Sequence, residues 1–408
     1  MKDPLLEGAR LVAKKLREHG FEAYFAGGCV RDTLRGYPPK DYDVATDARP
    51  EQVQSIFRRT LAVGAQFGVV LVRLPGKLEY EVATYRADGP YADGRRPTEV
   101  AYSTTKEDDV ARRDFTINAL LMDPESLDII DVVGGRQDLE DRIIRAVGDA
   151  ERRFAEDRLR MLRAVRFAAS LGFEIEPTTL SGIRAHAHAI SVVSKERIVS
   201  ELLAMWNGPA PGRAIRLLDA TGLFDALFPF ASTERTALAS WFDALPNARQ
   251  GLAEGSVPII GFSLLLEGTS ANVEAVLREL KLPRDTIRGV MRVHSIRELL
   301  LTRQGSEVDL LRPLISSDWP RDRAYLMARS GAEAVAPWDE ARRALDEHPL
   351  PELPILSGQD LIGLGLAPGP RFKEILMAAE EAVLLREITT REQALEMAKR
   401  MLSPSPAL

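Results

Sequence analysis

The run Gly27-Gly28-Cys29-Val30-Arg31-Asp32, followed nine residues later by Asp41-Tyr42-Asp43, decides how this chain is read. A glycine pair lets the backbone approach a phosphate closely, because no Cβ stands in the way. Asp-x-Asp in an extended segment points both carboxylates to one face, since strand side chains alternate with period two. Two such carboxylates repel unless a cation sits between them, so hard divalent ions are the expected occupants, taken here as two Mg²⁺ held by Asp41 and Asp43. Each piece alone is a weak signal. Together they point to phosphoryl or nucleotidyl transfer.

Outward from this run, the strand-like Glu79-Tyr80-Glu81-Val82-Ala83-Thr84-Tyr85 offers a third carboxylate. Glu81 is the candidate, but Glu79 shares its face and periodicity does not separate them. Arg31, three residues after Gly28, is placed to reach a metal-bound triphosphate. Asp32 is expected to support the turn or pair with a nearby arginine, and Cys29 to be a small buried residue. In Arg112-Arg113-Asp114-Phe115-Thr116-Ile117-Asn118-Ala119-Leu120, the arginines suit phosphate or ribose while the apolar residues pack.

The segment Glu156-Asp157-Arg158-Leu159-Arg160-Met161-Leu162-Arg163-Ala164-Val165-Arg166-Phe167 reads as helix, which makes Asp157 and Arg160 neighbours on one face. They present an acceptor beside a donor. Cytosine and adenine each offer an exocyclic amine next to a bare ring nitrogen and satisfy both. Guanine and uracil leave buried groups unpaired, a difference worth about 10⁴ or more in a hydrogen-bonding site. Arg163 lies on an adjoining face, in reach of a triphosphate. Helical rotation sets Arg166 on the far side from Asp157.

The 408 residues exceed what one core supports, so about two to four subdomains are expected. No apolar run approaches the ~18 residues of a membrane span, and Met1-Lys2-Asp3-Pro4 lacks the apolar core of a signal peptide. A single cysteine excludes a disulfide framework and a cysteine-based zinc site. A cytoplasmic enzyme is expected. The net charge of −6 argues against indiscriminate nucleic-acid binding. Residues 142–216, however, carry 13 Lys/Arg against 8 Asp/Glu, directly after the metal motif, where a polyanionic substrate needs positive potential.

Apolar spacing and the Gly20 stop predict a first helix from about Leu5 to His19. Short apolar stretches at Ala23–Ala26, Val44-Ala45, Val69–Leu74, Tyr80–Thr84 and Ile129–Val133 alternate with turns and one helical stretch near Glu51–Thr60, giving a mixed α/β unit. After Val147 the pattern is helical throughout with no convincing strand. Breaks fall at 208–212, Pro283, Pro320 and 348–354, and Thr390 with Gln393 forms a capping box for a last helix. The breaker-rich stretch Asp88–Pro97 reads as a loop over the site. The Ser403–Pro406 end is expected to fray, and the five scattered histidines to be structural.

With these motifs in hand, the chain resembles the class II tRNA nucleotidyltransferase family, the CCA-adding enzymes and bacterial poly(A) polymerases. The resemblance rests on Gly27–Asp32 with Asp41-x-Asp43, Arg112–Leu120, Asp131-Val132-Val133-Gly134-Gly135, Glu156–Arg160 and Ser194-Lys195-Glu196-Arg197-Ile198, in family order, with weaker motifs from Leu356 to Pro370. It implies an α+β, seahorse-like chain. A mixed α/β nucleotidyltransferase head spans residues 1–146, a helical neck 147–207, a body 208–305 and a tRNA-binding tail 306–408.

It also implies that Asp41 and Asp43 bind magnesium, while the third catalytic carboxylate stays open between the candidate Glu81 and Glu79. Gly28, Arg31, one of Arg112 and Arg113, Arg163 and Arg166 then contact the nucleotide, and Asp157 with Arg160 selects C, then A. The substrates implied are CTP, ATP and the tRNA 3′ end. The chain lacks the His…His-Asp constellation of relatives with added phosphohydrolase activity. It also lacks the basic C-terminal extension frequent in poly(A) polymerases, which favours tRNA, and the 88–97 loop disfavours a CC-adding enzyme. Poly(A) polymerase, an A-adding specialist and an inactive RNA-binding protein are the competing expectations. Oligomeric state stays open.

Overall fold

The alternating apolar runs of the first 130 residues form one mixed sheet in the computed structural model, which describes residues 3–61, 68–87, 91–92, 96–97, 101–253 and 255–402. Across the sheet the strands run Ile129–Ile130, Leu121–Met122, Ala23–Ala26, Asp43–Thr46, Leu78–Thr84, Val69–Leu74 and Thr60–Leu61. Only Asp43–Thr46 and Leu78–Thr84 pair in parallel, with Val44 opposite Val82. That register brings Asp43 alongside Glu81. Most of the 88–97 loop lies outside the described residues; within it Tyr91–Ala92 pairs antiparallel with Arg96–Pro97. The Ser403–Pro406 end also lies outside them.

The first helix, Pro4–Glu18, covers one face of the sheet. Asp3 caps it, accepting from the Leu5 N–H at 2.9 Å, and Gly20 follows it at φ 86°. Its Ala9, Val12, Ala13 and Leu16 are buried with Phe25, Val44, Val70, Tyr80 and Val82. The opposite face carries Asp43 and Glu81. The helix expected near Glu51–Thr60 is shorter, Pro50–Ile56, because Thr60 leaves it to begin an edge strand.

A second element group walls off the site. Thr105 caps the helix Lys106–Ala111, a 3₁₀ turn spans Thr116–Asn118, and the helix Gly135–Glu140 packs on that turn. The Asp131 carboxylate accepts from the N–H groups of Val133, Gly134, Gly135 and Arg136, which hold it below the usual range against the opposing penalty of burial. A Cβ on Gly135 would stand 2.2 Å from the Thr116 carbonyl oxygen, which is backbone and unable to move aside. Gly135→Ala is therefore expected to cost about 1–3 kcal/mol of stability. A lowered urea midpoint at unchanged slope checks this.

Two expectations need correction. A strand does occur after Val147: Glu174–Ile175 pairs in parallel with Ile143–Ile144. Nor is 156–167 one helix. The helix Ala150–Glu156 ends at Asp157, whose backbone is extended at φ −143° and ψ 103°, and a new helix runs Leu159–Leu171. The cause is local, since the Asp157 carboxylate accepts from the Leu159 N–H at 3.1 Å and so caps the second helix.

The chain divides into two compact units, Met1–Ser240 with Gly268–Leu282, and Trp241–Glu267 with Pro283–Leu408. The first holds the sheet, the helices through Leu223–Leu227 and the helix Val273–Glu279. The second is helical among its described residues. In it Ser256–Leu265 packs closely on Arg284–Thr302, and a separate core gathers Leu361, Ile375, Val383, Ala394 and Ala398. Pro283 caps a helix, Pro320 lies in a first helical turn, and His348 ends the span Trp319–Glu347, two helices that meet at a non-helical Gly331 of φ 81° and ψ −177°. The N–H groups of Thr389 and Thr390 donate to Gln393, whose own N–H meets Thr390 Oγ1, completing the expected cap. No described helix is long and apolar enough to cross a membrane.

Candidate active site

A cavity of about 670 Å³ opens in the first unit. All eleven residues singled out from the sequence line it: Gly28, Arg31, Asp41, Asp43, Glu81, Arg112, Arg113, Asp157, Arg160, Arg163 and Arg166. Gly27, Arg86, Asp114, Asn118 and Phe167 join them.

One wall is acidic. Burial first, then the neighbouring charges of Glu81 and Asp41, pushes the Asp43 carboxyl up to about 7, with Arg113 opposing. A group held in that state is short of positive charge. The arrangement fits a bound divalent cation, although among the described residues no three Asp, Glu, His or Cys side chains are already drawn together as a metal cluster. Glu79 does not line the cavity. It accepts from Arg73 at 2.7 Å across the adjacent strand, which leaves Glu81 as the carboxylate beside Asp43. Cys29 is buried below, and burial pushes its thiol up to about 12, so it is no nucleophile at neutral pH.

Gly27 begins the glycine turn at φ 76°, and a Cβ there would meet Arg113 at 3.3 Å. The glycine thus serves backbone geometry and the close approach of a cation. Arg31 forks onto Asp32 at 2.9 and 3.1 Å and donates to Asn118 Oδ1 at 2.8 Å. Those bonds aim its guanidinium across the pocket.

The facing wall is basic, and each arginine is held by a carboxylate set behind it. Asp109 is buried and accepts from Arg112 Nε at 2.9 Å and Arg113 Nη2 at 2.9 Å. Asp114 accepts from Arg163 at 2.7 Å and from the Phe115 N–H at 2.8 Å. Burial raises both carboxyls, but the arginines outweigh it and hold both below the usual range. Arg166 donates to Glu201 at 2.6 Å. Phe167 lies beneath three guanidiniums, with Arg166 4.2 Å from its ring centre, Arg163 at 5.3 Å and Arg31 at 5.5 Å.

Asp157 and Arg160 meet the cavity from either side of the helix break. Their side chains do not pair with each other. Asp157 takes Arg197 Nη2 at 2.8 Å, while Arg160 donates to Glu156 at 3.1 Å and to the Arg112 carbonyl at 2.8 Å. The same break removes the rotation that set Arg166 opposite Asp157. Within Leu159–Leu171, Arg160, Arg163, Arg166 and Phe167 cover one broad face of about 120°.

The sequence reading missed the supports. Asp109 was discoverable, since it stands three and four residues before the arginine pair it clamps. Glu201 and Arg197, far along the chain, carried no local signal.

Residues 23–145 match the Poly A polymerase head domain family, 172–234 the probable RNA and SrmB-binding site of polymerase A, and 257–398 the tRNA nucleotidyltransferase domain 2 family. The CCA-adding enzyme of Streptococcus mutans is 34% identical over 387 residues, 94% of each chain. That of Geobacillus stearothermophilus is 46% identical over 235 residues, 58% of this chain and 57% of its own length. The crystal structure of the Bacillus stearothermophilus CCA-adding enzyme in complex with CTP superposes with a TM-score of 0.81 at 32% identity, covering 98% of both chains. The Thermotoga maritima CCA-adding enzyme complexed with tRNA shares the fold, with a TM-score of 0.72 at 22% identity over 98% of this chain and 97% of its own. With its α+β architecture and full-length likeness, the chain belongs to the CCA-adding enzyme family of tRNA nucleotidyltransferases.

Proposed function

We propose that this enzyme adds C, C and A to the 3′ end of tRNA from CTP and ATP, releasing pyrophosphate at each step. The observation that carries this is the union in one cavity of an acidic wall, an arginine wall and the Asp157/Arg160 pair. We assign Asp41, Asp43 and Glu81 to the catalytic wall, with Mg²⁺ held by Asp41 and Asp43. When bound, such a cation stabilises charge on the attacking hydroxyl and the phosphoryl oxygens.

The protein's own residues do the positioning. Gly28 admits the phosphates, while Arg31, Arg112 or Arg113, Arg163 and Arg166 grip the triphosphate and hold its α-phosphorus in line with the RNA 3′-hydroxyl. The O3′–Pα bond forms as the bond from Pα to the bridging oxygen breaks, pyrophosphate departs with that oxygen, and the hydroxyl proton passes to solvent water. Asp157 accepts from the exocyclic amine of cytosine or adenine, and Arg160 donates to the bare ring nitrogen.

Because Glu201 aims Arg166, Glu201→Gln is expected to raise KM for both nucleotides about three- to tenfold, with kcat changed less than twofold. Steady-state kinetics with each nucleotide checks this. The division into head 1–146, neck 147–207, body 208–305 and tRNA-binding tail 306–408 and the cytoplasmic location are part of the same proposal.

The test is 3′-end sequencing after incubation with Mg²⁺, CTP and ATP. CCA on tRNA ending at the discriminator base, and A alone on tRNA ending in CC, with unstructured RNA untouched, is the expected result. Long A tails on unstructured RNA would make the chain a poly(A) polymerase. Reaction with CC-ended tRNA alone would make it an A-adding specialist.

A further inference from the structure

A second cavity, of about 540 Å³, lies in the same unit and is lined by Arg35, Arg136 and Arg142 together with Tyr37, Phe173 and Glu140. Two helices connect it to the active cavity. Gly28–Leu34 begins at the nucleotide end and delivers Arg35 at its other end, about 10 Å away along the axis. Leu159–Leu171 carries Arg160 to Phe167 at the active cavity and ends with Leu171 at the second.

Two of the three cationic groups here lack the carboxylates that back the arginines of the nucleotide wall. Among the described residues, the side chains of Arg136 and Arg142 make no hydrogen bond or ion pair, whereas Arg35 forms a long ion pair with Asp32 at 4.0 Å. Arg35 also lies over the rings of Tyr37, at 4.9 Å, and Phe173, at 5.6 Å. Tyr37 is 59% exposed, so the outer face of its ring is open to a stacking partner.

Arg142 follows the end of the helix Gly135–Glu140 at φ 59°, the left-handed position where glycine is preferred.

We propose that this pocket binds one nucleotide of the RNA substrate outside the active cavity, with its phosphate on Arg136 and Arg142 and its base stacked on Tyr37. Unpaired guanidiniums beside an exposed ring match the phosphate-and-base chemistry of RNA. The proposal rests on the assignment of tRNA as substrate, and places a second anchor outside the site of addition.

The test compares wild type, Arg136→Ala, Arg142→Gly and Tyr37→Ala in binding fluorescein-labelled tRNA lacking CCA, from 50 to 300 mM salt. Each lost phosphate contact is expected to lower the salt slope by about 1 and weaken binding about eightfold at 0.1 M salt. Tyr37→Ala is expected to weaken binding about tenfold with the slope kept. Arg142→Gly also relieves the strained backbone, so its melting temperature should equal or exceed that of wild type, which separates lost binding from lost folding. KM for CTP should stay within twofold. Unchanged affinity and slope in all three variants would overturn the proposal, as would weaker binding of free CTP with tRNA binding intact. A wild type that binds tRNA without adding CCA would instead remove the functional assignment and leave the binding comparison readable.

Discussion

Asp43→Asn is expected to abolish nucleotide addition and at the same time to stabilise the metal-free protein at pH 8. The first effect should be about 10³-fold or more in kcat, since a ligand change that disturbs a metal site forfeits several kcal/mol of transition-state charge stabilisation. The second follows from the raised carboxyl. Burial and the charges of Glu81 and Asp41 push Asp43 from its ordinary 3.8 to about 7. A carboxyl raised on folding makes its own contribution to the stability of the metal-free protein largest below about pH 4, and that contribution is lost as pH climbs through 7. Asparagine does not ionise, so the variant's advantage should grow between pH 4 and 7 and level off above, at no more than about 4 kcal/mol.

Melting curves in EDTA from pH 5 to 8.5 read this directly. Adding a divalent cation should reverse the order, raising the melting temperature of wild type and leaving the variant unmoved. A variant less stable than wild type in EDTA at pH 8 would mean that Asp43 is not held among uncompensated charges.

Asp157→Ala should cost kcat/KM for CTP and ATP about 10²–10³-fold while barely affecting the slow use of UTP and GTP, so that selectivity collapses. The reason lies in how few acceptor sites remain. An ionised carboxylate offers about four lone-pair positions. Leu159 N–H and Arg197 Nη1 occupy Oδ1 at 3.1 and 3.3 Å, and Arg197 Nη2 takes one position on Oδ2 at 2.8 Å. The position left on Oδ2 suits a single amine donor, as cytosine and adenine supply and uracil does not.

Arg160 is similarly committed, to Glu156, the Arg153 carbonyl and the Arg112 carbonyl, with two N–H groups to spare. These bonds hold both groups rigidly at the cavity wall, and in the proposed reading rigid placement makes the hydrogen-bond pattern discriminating. Competition among the four nucleotides on one tRNA measures the effect. Unaltered preference for CTP and ATP would place selection elsewhere in the cavity.

Much of the site was readable because its chemistry is local. Gly27 to Asp43 lie within seventeen residues, and their types alone imply a phosphate and a cation. Alternation along Leu78–Thr84 put Glu79 and Glu81 on one face but could not choose between them. The choice depends on Arg73 reaching Glu79 from the next strand and on the parallel register that sets Glu81 beside Asp43.

The reading of 156–167 as one helix failed for a related reason. Apolar spacing favours continuity, whereas the tendency of an aspartate to hydrogen-bond the N–H groups of a starting helix favours the break at Asp157. That break is what presents Asp157 to the cavity. The short strand Glu174–Ile175 was invisible, because two residues carry no period and exist only against Ile143–Ile144.

The amino-acid order by itself determined which groups line the cavity: a glycine turn, an Asp-x-Asp pair, and arginines at intervals that one helix gathers on one face. These are short-range properties, set by backbone sterics, side-chain period and charge. Only the folded chain decided how each charged group is held. Asp109, Asp114 and Glu201 fix the arginines from behind, Arg197 fixes Asp157, and the crowding of Asp41 and Glu81 on Asp43 creates a demand for positive charge. Coulombic and hydrogen-bonding terms depend on separation in space, and pairs such as Asp157 and Arg197 come within 2.8 Å only after helices forty residues apart have packed.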